Sequence, residues 1–166
     1  MTDSDLKVFV AGTSKFFREM GLSDAEVSTP FVREDSDRVT YEFSAVIGVS
    51  GTQRGCVYFS APRMMVEEIM RTVGEPDFAD ENCADLVGEI ANTVSGNARE
   101  FLGSGFMISV PVVFYGPSQD VRFPPDMPCF VIPIIWNGHR SSLIICLKDQ
   151  PKAKAGVERK LEVAEV

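Results

Sequence analysis

Histidine occurs once in this sequence, at His139, and the four cysteines at 56, 83, 129 and 146 stand apart with no Cys-x-x-Cys pair. That scarcity removes the usual zinc ligand sets, so no metal site is expected. A Cys–His nucleophile would have to use a histidine that falls in a hairpin. No apolar run approaches the roughly 20 residues that cross a bilayer, so no membrane span is expected. Basic clusters are missing too: 16 Lys and Arg are scattered among 24 Asp and Glu, for a net charge of −8. A surface of that sign is a poor match for nucleic-acid phosphates or an anionic membrane. The acidic opening, MTDSDLKVF, has no signal-peptide pattern, and a cytoplasmic location is expected.

What the chain does have is core. Hydrophobic residues make up 45% of its 166 positions, including twelve Phe, which suits one globular domain of ordinary size. That domain is expected over residues 1–148, with the charge-alternating tail at 149–166 outside the core as a frayed or mobile helix.

Leu6, Phe9, Val10, Phe16, Phe17 and Met20 follow the helical period, predicting a helix over 4–20 with Asp3 or Ser4 as cap and Gly21 as stop. An extended stretch near STPFVRED follows. RVTYEFSAVIGV alternates Val39, Tyr41, Phe43, Ala45 and Ile47 as a half-buried strand, and CVYFS returns beside it after the turn SGTQRG. Pro62 opens a second helix that buries Val66, Ile69, Met70 and Val73 and ends at Gly74. After the connector EPDFADEN comes a third helix, residues 83–102. Three strands close the chain: MISVPVVFYG, CFVIPIIW and HRSSLIICL. The predicted fold class is α/β, of the α+β type: a mostly antiparallel sheet with helices packed against it.

Asn137-Gly138 is the strongest hairpin signal in the chain. A two-residue loop there makes paired residue numbers sum to 275, so Cys129 faces Cys146 at a non-hydrogen-bonded position. Two buried thiols packing as small hydrophobes is the preferred reading, with a reversible disulfide as the second. Pro133 cannot donate a ladder bond, which predicts an interruption or a sheet edge at that point.

The third helix, CADLVGEIANTVSGNAREFL, carries a polar stripe. At about 100° per residue, Asp85, Glu89, Asn92 and Gly96 fall within about 60° of one another. Cys83, Leu86, Val87, Ile90, Val94 and Phe101 form the opposite, core-facing side. Arg99 sits at the stripe's margin, while Asn97 lies nearer the apolar side and needs internal partners if buried. Polar residues on an outer helix face are ordinary. Asn92 and Gly96 are less so, because glycine costs about 1 kcal/mol against alanine in a helix interior. Better helix formers would cost nothing in packing there, so the two together suggest another constraint, beside the reading of an ordinary solvated face.

Asp85-x3-Glu89-x2-Asn92 within GEIANTVSGNA resembles the motif of the CheC/CheX/FliY chemotaxis phosphatases, written Asp/Ser-x3-Glu-x2-Asn-x22-Pro. The sequence GEIAN followed by GNA is especially similar to CheX, and the resemblance extends to element order over residues 5–148. Only one such motif is present, which also favours CheX over two-motif CheC relatives. The spacing to proline departs from the pattern: 18 residues separate Asn92 from Pro111 and 24 separate it from Pro117, and the setting SVPVV makes Pro111 the counterpart, with a shorter connection.

The resemblance implies a phosphatase acting on the aspartyl phosphate of a phosphorylated CheY-type response regulator. Glu89 and Asn92 would be the catalytic residues, and Asp85, Gly96 and Arg99 would contact the partner. No cofactor is expected on this chain; Mg²⁺ is expected in the partner regulator. A homodimer is also implied, joined through sheet edges among the strands near 107–147. A non-catalytic regulator-binding or FliM-type switch module is the alternative. A glycosidase dyad of Asp85 and Glu89 fits poorly, because no exposed aromatic cluster marks a sugar cleft.

Overall fold

The computed structural model describes residues 1–22, 24–116 and 121–151. In chain order its elements are α1 (Asp3–Glu19), β1 (Glu26–Val27), β2 (Phe31–Val32), β3 (Phe43–Gly51), β4 (Gln53–Ala61), α2 (Arg63–Val73), α3 (Asp80–Leu102), β5 (Phe106–Ile108), β6 (Val112–Tyr115), β7 (Cys129–Trp136) and β8 (His139–Asp149). The strands make one antiparallel sheet whose central order is β7-β8-β4-β3. Each outer side is covered by two short strands: β1 and β2 pair with β7, and β5 and β6 pair with β3.

Side-chain alternation divides the sheet into two faces. Phe43, Ala45 and Ile47 of β3, Val57 and Phe59 of β4, Ile132 and Ile134 of β7, and Leu143 and Ile145 of β8 point to the helices and form the main core. Phe9, Phe16 and Phe17 of α1 complete it, each burial stabilising the fold by about 1.5–3 kcal/mol. The other face holds a smaller cluster of Val39, Tyr58, Cys129, Val131, Ile144 and Cys146, overlaid by Val121, Phe123 and Met127.

Local chemistry sets several boundaries. Thr2, not Asp3 or Ser4, caps α1: the Thr2 hydroxyl accepts from the Asp5 amide at 3.2 Å, and the Asp5 carboxylate accepts from the Thr2 amide at 2.8 Å. This reciprocal box pulls the helix start to Asp3, one residue ahead of the predicted start. Pro62 precedes α2 and Gly74, at φ 84°, ends it as expected. Val73 departs from expectation: it is exposed because it lies in the last turn, beyond the sheet's cover. The expected strand from Val39 begins only at Phe43, and Val39 packs on the opposite face from Phe43. The helix expected from residue 83 starts at Asp80, whose carboxylate pairs with Arg63.

The closing hairpin has the expected register, with Trp136 opposite His139 and Cys129 opposite Cys146. Its tip is held to α2 by Glu68, which accepts from Asn137 Nδ2 at 2.8 Å and lies 2.8 Å from His139 Nε2. These two contacts, the Asn137 bond first, hold the Glu68 carboxyl below its ordinary range. The cysteines correct the preferred reading: Cys129 and Cys146 are joined in a disulfide, their α-carbons 4.3 Å apart. The non-hydrogen-bonded position brings the α-carbons that close. Pro133 does not interrupt β7. Its missing N–H points to the outer side, at the gap between β1 and β2, where the Ser28 amide donates to the Pro133 carbonyl.

The stretch expected as one strand, MISVPVVFYG, is two. Val49 pairs with Ile108 but Val46 pairs with Val112, so β3 advances three residues while its partner advances four. The extra residue makes a bulge at Ser109–Pro111, and Ser109 repairs the ladder by exchanging two 2.9 Å hydrogen bonds with Gly48. The sequence 152–166, where the tail was expected to be helical, lies outside the described residues, as does Pro117.

Candidate functional site

Helix α3 lies across the sheet with α1 and α2 beside it, and this crowding buries more of its circumference than one apolar stripe would. Besides Cys83, Val87, Ile90 and Val94, the small residues Ala84, Gly88, Ala91, Ser95 and Ala98 are buried. Gly88 allows the closest approach to the sheet: a β-carbon there would lie 2.7 Å from Val113 Cγ1 and 3.6 Å from Pro111 Cγ. The bulge thus seats Pro111 against α3, one turn before Asn92. On the other flank, α1 approaches at Gly12, and the buried Asn97 donates to the Gly12 carbonyl at 3.2 Å. Asn97 therefore has the internal partner its position demands.

With its flanks held, α3 shows solvent a narrow strip. Asp85, Glu89 and Asn92 are exposed along it, Gly96 is half-buried, and Arg99 is exposed at the end. A β-carbon at Gly96 would meet nothing within 4 Å, so no contact among the described residues requires glycine there. Among the described residues, no hydrogen bond or ion pair engages the side chains of Asp85, Glu89, Asn92 or Arg99. Phe101, expected in the core, is 67% exposed. It sits in the last turn of α3, where the helix has run past its neighbours.

Sequence reading missed the ground around Glu89. Two shallow depressions, of about 280 and 180 Å³, meet at that residue. The first is walled by Met70, Val73 and Glu75 at the end of α2, together with Asp85; the second by Phe16 and Glu19 of α1, together with Thr93. Met20 and Leu86 line both. The result is an apolar floor with four carboxylates around it, at Glu19, Glu75, Asp85 and Glu89. No local pattern announces that the ends of α1 and α2 converge here, since each helix reveals only its own faces. The larger depression elsewhere, bounded by Asp5, Gln53, Met107 and Asp149, includes no residue of the strip. Among the described residues, no group of three or more His, Cys, Asp or Glu comes together to hold a metal ion, and no helix is long and apolar enough to cross a membrane.

Fold and site together define a class: an antiparallel-sheet domain with one polar helix edge exposed to solvent, its side chains without partners among the described residues. The family Chemotaxis phosphatase CheX matches residues 43–135, from β3 through β7, and the chain belongs to that family. No curated protein matches it.

Solved structures share the fold. Chemotaxis protein CheX from Vibrio vulnificus is 24% identical, with a TM-score of 0.77 over 87% of this chain and 99% of that one. A CheC-like superfamily protein from Shewanella sp. PV-4 is 23% identical, with a TM-score of 0.78 over 89% and 99%. A chain of the CheX–CheY–BeF3–Mg²⁺ complex from Borrelia burgdorferi is 20% identical, with a TM-score of 0.70 over 87% and 97%.

Proposed function

We propose that this chain hydrolyses the aspartyl phosphate of a CheY-type response regulator by inserting Glu89 and Asn92 into the regulator's active site. The observation that carries the reading is the pair itself. Two exposed polar side chains, one turn apart, project without partners among the described residues from a helix packed against α1, α2 and the sheet. Membership of the CheX family and the fold shared with the Borrelia CheX–CheY complex support it.

Side-chain roots three residues apart on a helix are about 5–6 Å from each other, so both can enter one recess. Hydrolysis needs a water in line behind phosphorus and stabilisation of charge on the phosphoryl oxygens. The Asn92 carboxamide suits this: its oxygen accepts from the water while its nitrogen donates to a phosphoryl oxygen. Glu89 would pair with a lysine of the regulator and set the docked register. A carboxylate aimed at the phosphoryl group itself would repel it. Mg²⁺ would be held by the regulator and would neutralise phosphoryl charge; this chain supplies position. Gly96 admits the partner's backbone, and Asp85 and Arg99 flank the contact.

The test is the decay of a phosphorylated CheY-type regulator with Mg²⁺, with and without this protein. Accelerated decay is expected. Binding without acceleration would make the chain a sequestering module and sink the enzyme reading.

We further propose a homodimer joined at the β5–β6 edge, where Met107, Val110, Val112 and Tyr115 are all exposed, Val110 at 80%. An apolar strand edge of this kind is a template for pairing with another chain. Light scattering should give twice the chain mass for wild type and the single-chain mass for Val110→Lys/Val112→Lys, with unchanged circular dichroism. A monomeric wild type would refute the dimer.

A further inference from the structure

Three cysteines stand in one row across the outer face of the sheet. Cys146 of β8 is paired in register with Cys129 of β7 on one side and with Cys56 of β4 on the other. Direct cross-strand partners point to the same face: Cys129 and Cys146 belong to the outer cluster, and Cys56 packs against it. Cys129 and Cys146 are disulfide-bonded and nearly inaccessible, at 6% and 0% exposure. Residues of the 121–127 segment lie over this face, and the Cys129 sulfur rests 3.9 Å from the Met127 carbonyl. Cys56 is a free thiol and only half-buried, its sulfur 3.3 Å from the Tyr58 hydroxyl.

We propose that Cys56 is the attacking thiol of a thiol–disulfide exchange site, through which a low-molecular-weight thiol of the glutathione class reaches the buried Cys129–Cys146 bond. The ladder alternates, so a non-hydrogen-bonded pair on the β7 side makes Cys56–Cys146 a hydrogen-bonded pair on the β4 side. Such pairs have α-carbons about 5.5 Å apart, within the range that a disulfide spans. Cys146 can therefore bond to either neighbour without a change of register.

The exchange balances within the row. The Cys56 thiolate attacks Cys146 Sγ; the Cys56–Cys146 bond forms, the Cys146–Cys129 bond breaks, and Cys129 leaves as a thiolate that takes up a proton. An external thiol then attacks Cys56, the most exposed of the three sulfurs, releasing Cys146 and forming a mixed disulfide. A second external thiol resolves this, regenerating Cys56 and leaving the small molecule oxidised. The net change is two external thiols converted to one disulfide while Cys129 and Cys146 become thiols. Burial pushes the Cys56 thiol above its ordinary value, so the thiolate is scarce near neutrality and the exchange accelerates as pH rises.

The test uses the full chain, oxidised with glutathione disulfide and then reduced under native conditions with glutathione at about pH 9. Timed samples are alkylated and mapped by mass spectrometry. Wild type is expected to pass through a species linked between Cys56 and Cys146 with Cys129 alkylated. In Cys56→Ser and Cys56→Ala, loss of the Cys129–Cys146 bond should be at least about tenfold slower, and in denaturant all three proteins should be reduced alike. Equal native rates in wild type and both variants would overturn the proposal. So would failure of the oxidised chain to form the Cys129–Cys146 bond at all.

Discussion

Replacing Asn92 with alanine is expected to reduce dephosphorylation of the regulator by about 100-fold or more while leaving the protein folded and able to dock. The size follows from the role: a group that only positions water and donates one hydrogen bond to developing charge contributes about 3–4 kcal/mol. The fold should not notice. Asn92 is exposed and engages no described residue, so the melting temperature should stay close to that of wild type, consistent with a change within about 0.5 kcal/mol. Asn92→Asp sharpens the test. It keeps the shape and the accepting oxygen, loses the donor and adds negative charge beside an anion, so it should be no better than alanine. Glu89→Ala should instead raise the regulator concentration needed for half-maximal rate, because the lost contact is the docking pair. An Asn92→Ala protein that melts like wild type and still hydrolyses at the full rate would end the positioning argument.

The two glycines of α3 should respond in opposite directions to the same added methyl. Gly88→Ala places a β-carbon 2.7 Å from Val113 Cγ1, at the end of a short, β-branched side chain that cannot swing far. Overpacking of this kind costs about 1–3 kcal/mol, more than the roughly 1 kcal/mol that alanine gains over glycine in a helix. The variant should unfold at lower urea, and part of the damage should reach activity, since α3 must move away from Pro111 and carry Glu89 and Asn92 with it. Gly96→Ala puts its methyl into open space, so the helix gain of up to about 1 kcal/mol should appear as added stability. Activity should nevertheless fall, through weaker docking, because the methyl stands where the partner's backbone would approach. Urea midpoints and the rate's dependence on regulator concentration separate the two effects. A Gly96→Ala protein that is stabilised and docks normally would remove Gly96 from the contact surface.

The strip was legible in the sequence because helical period alone determines which residues share an angle about an axis. Asp85, Glu89, Asn92 and Gly96 share one in the structure, as they must once the segment is helical. The hairpin register was legible for the same kind of reason. A two-residue loop at Asn137-Gly138 leaves one pairing, and Cys129 and Cys146 meet seven rungs away from the turn. The Asp85-x3-Glu89-x2-Asn92 spacing that resembles CheX lies on one such local element, and the family match over residues 43–135 agrees with the resemblance.

What the sequence by itself determined is therefore the face, the register and the identity of the residues along the exposed strip. Tertiary structure decided the rest. Phe101 and Val73 read as core because periodicity knows their angle but not where neighbouring elements end, and both lie in last turns that outrun their cover. Pro111 reads as mid-strand until the one-residue bulge turns it toward Gly88. Cys129 and Cys146 read first as packed thiols, until their α-carbons are placed 4.3 Å apart and their sulfurs joined. The surroundings of Glu89 come from Glu19 of α1 and Glu75 after α2, which no local pattern relates to α3. Angle about a helix and step along a strand are properties of consecutive residues; which surfaces meet depends on how several elements share one sheet.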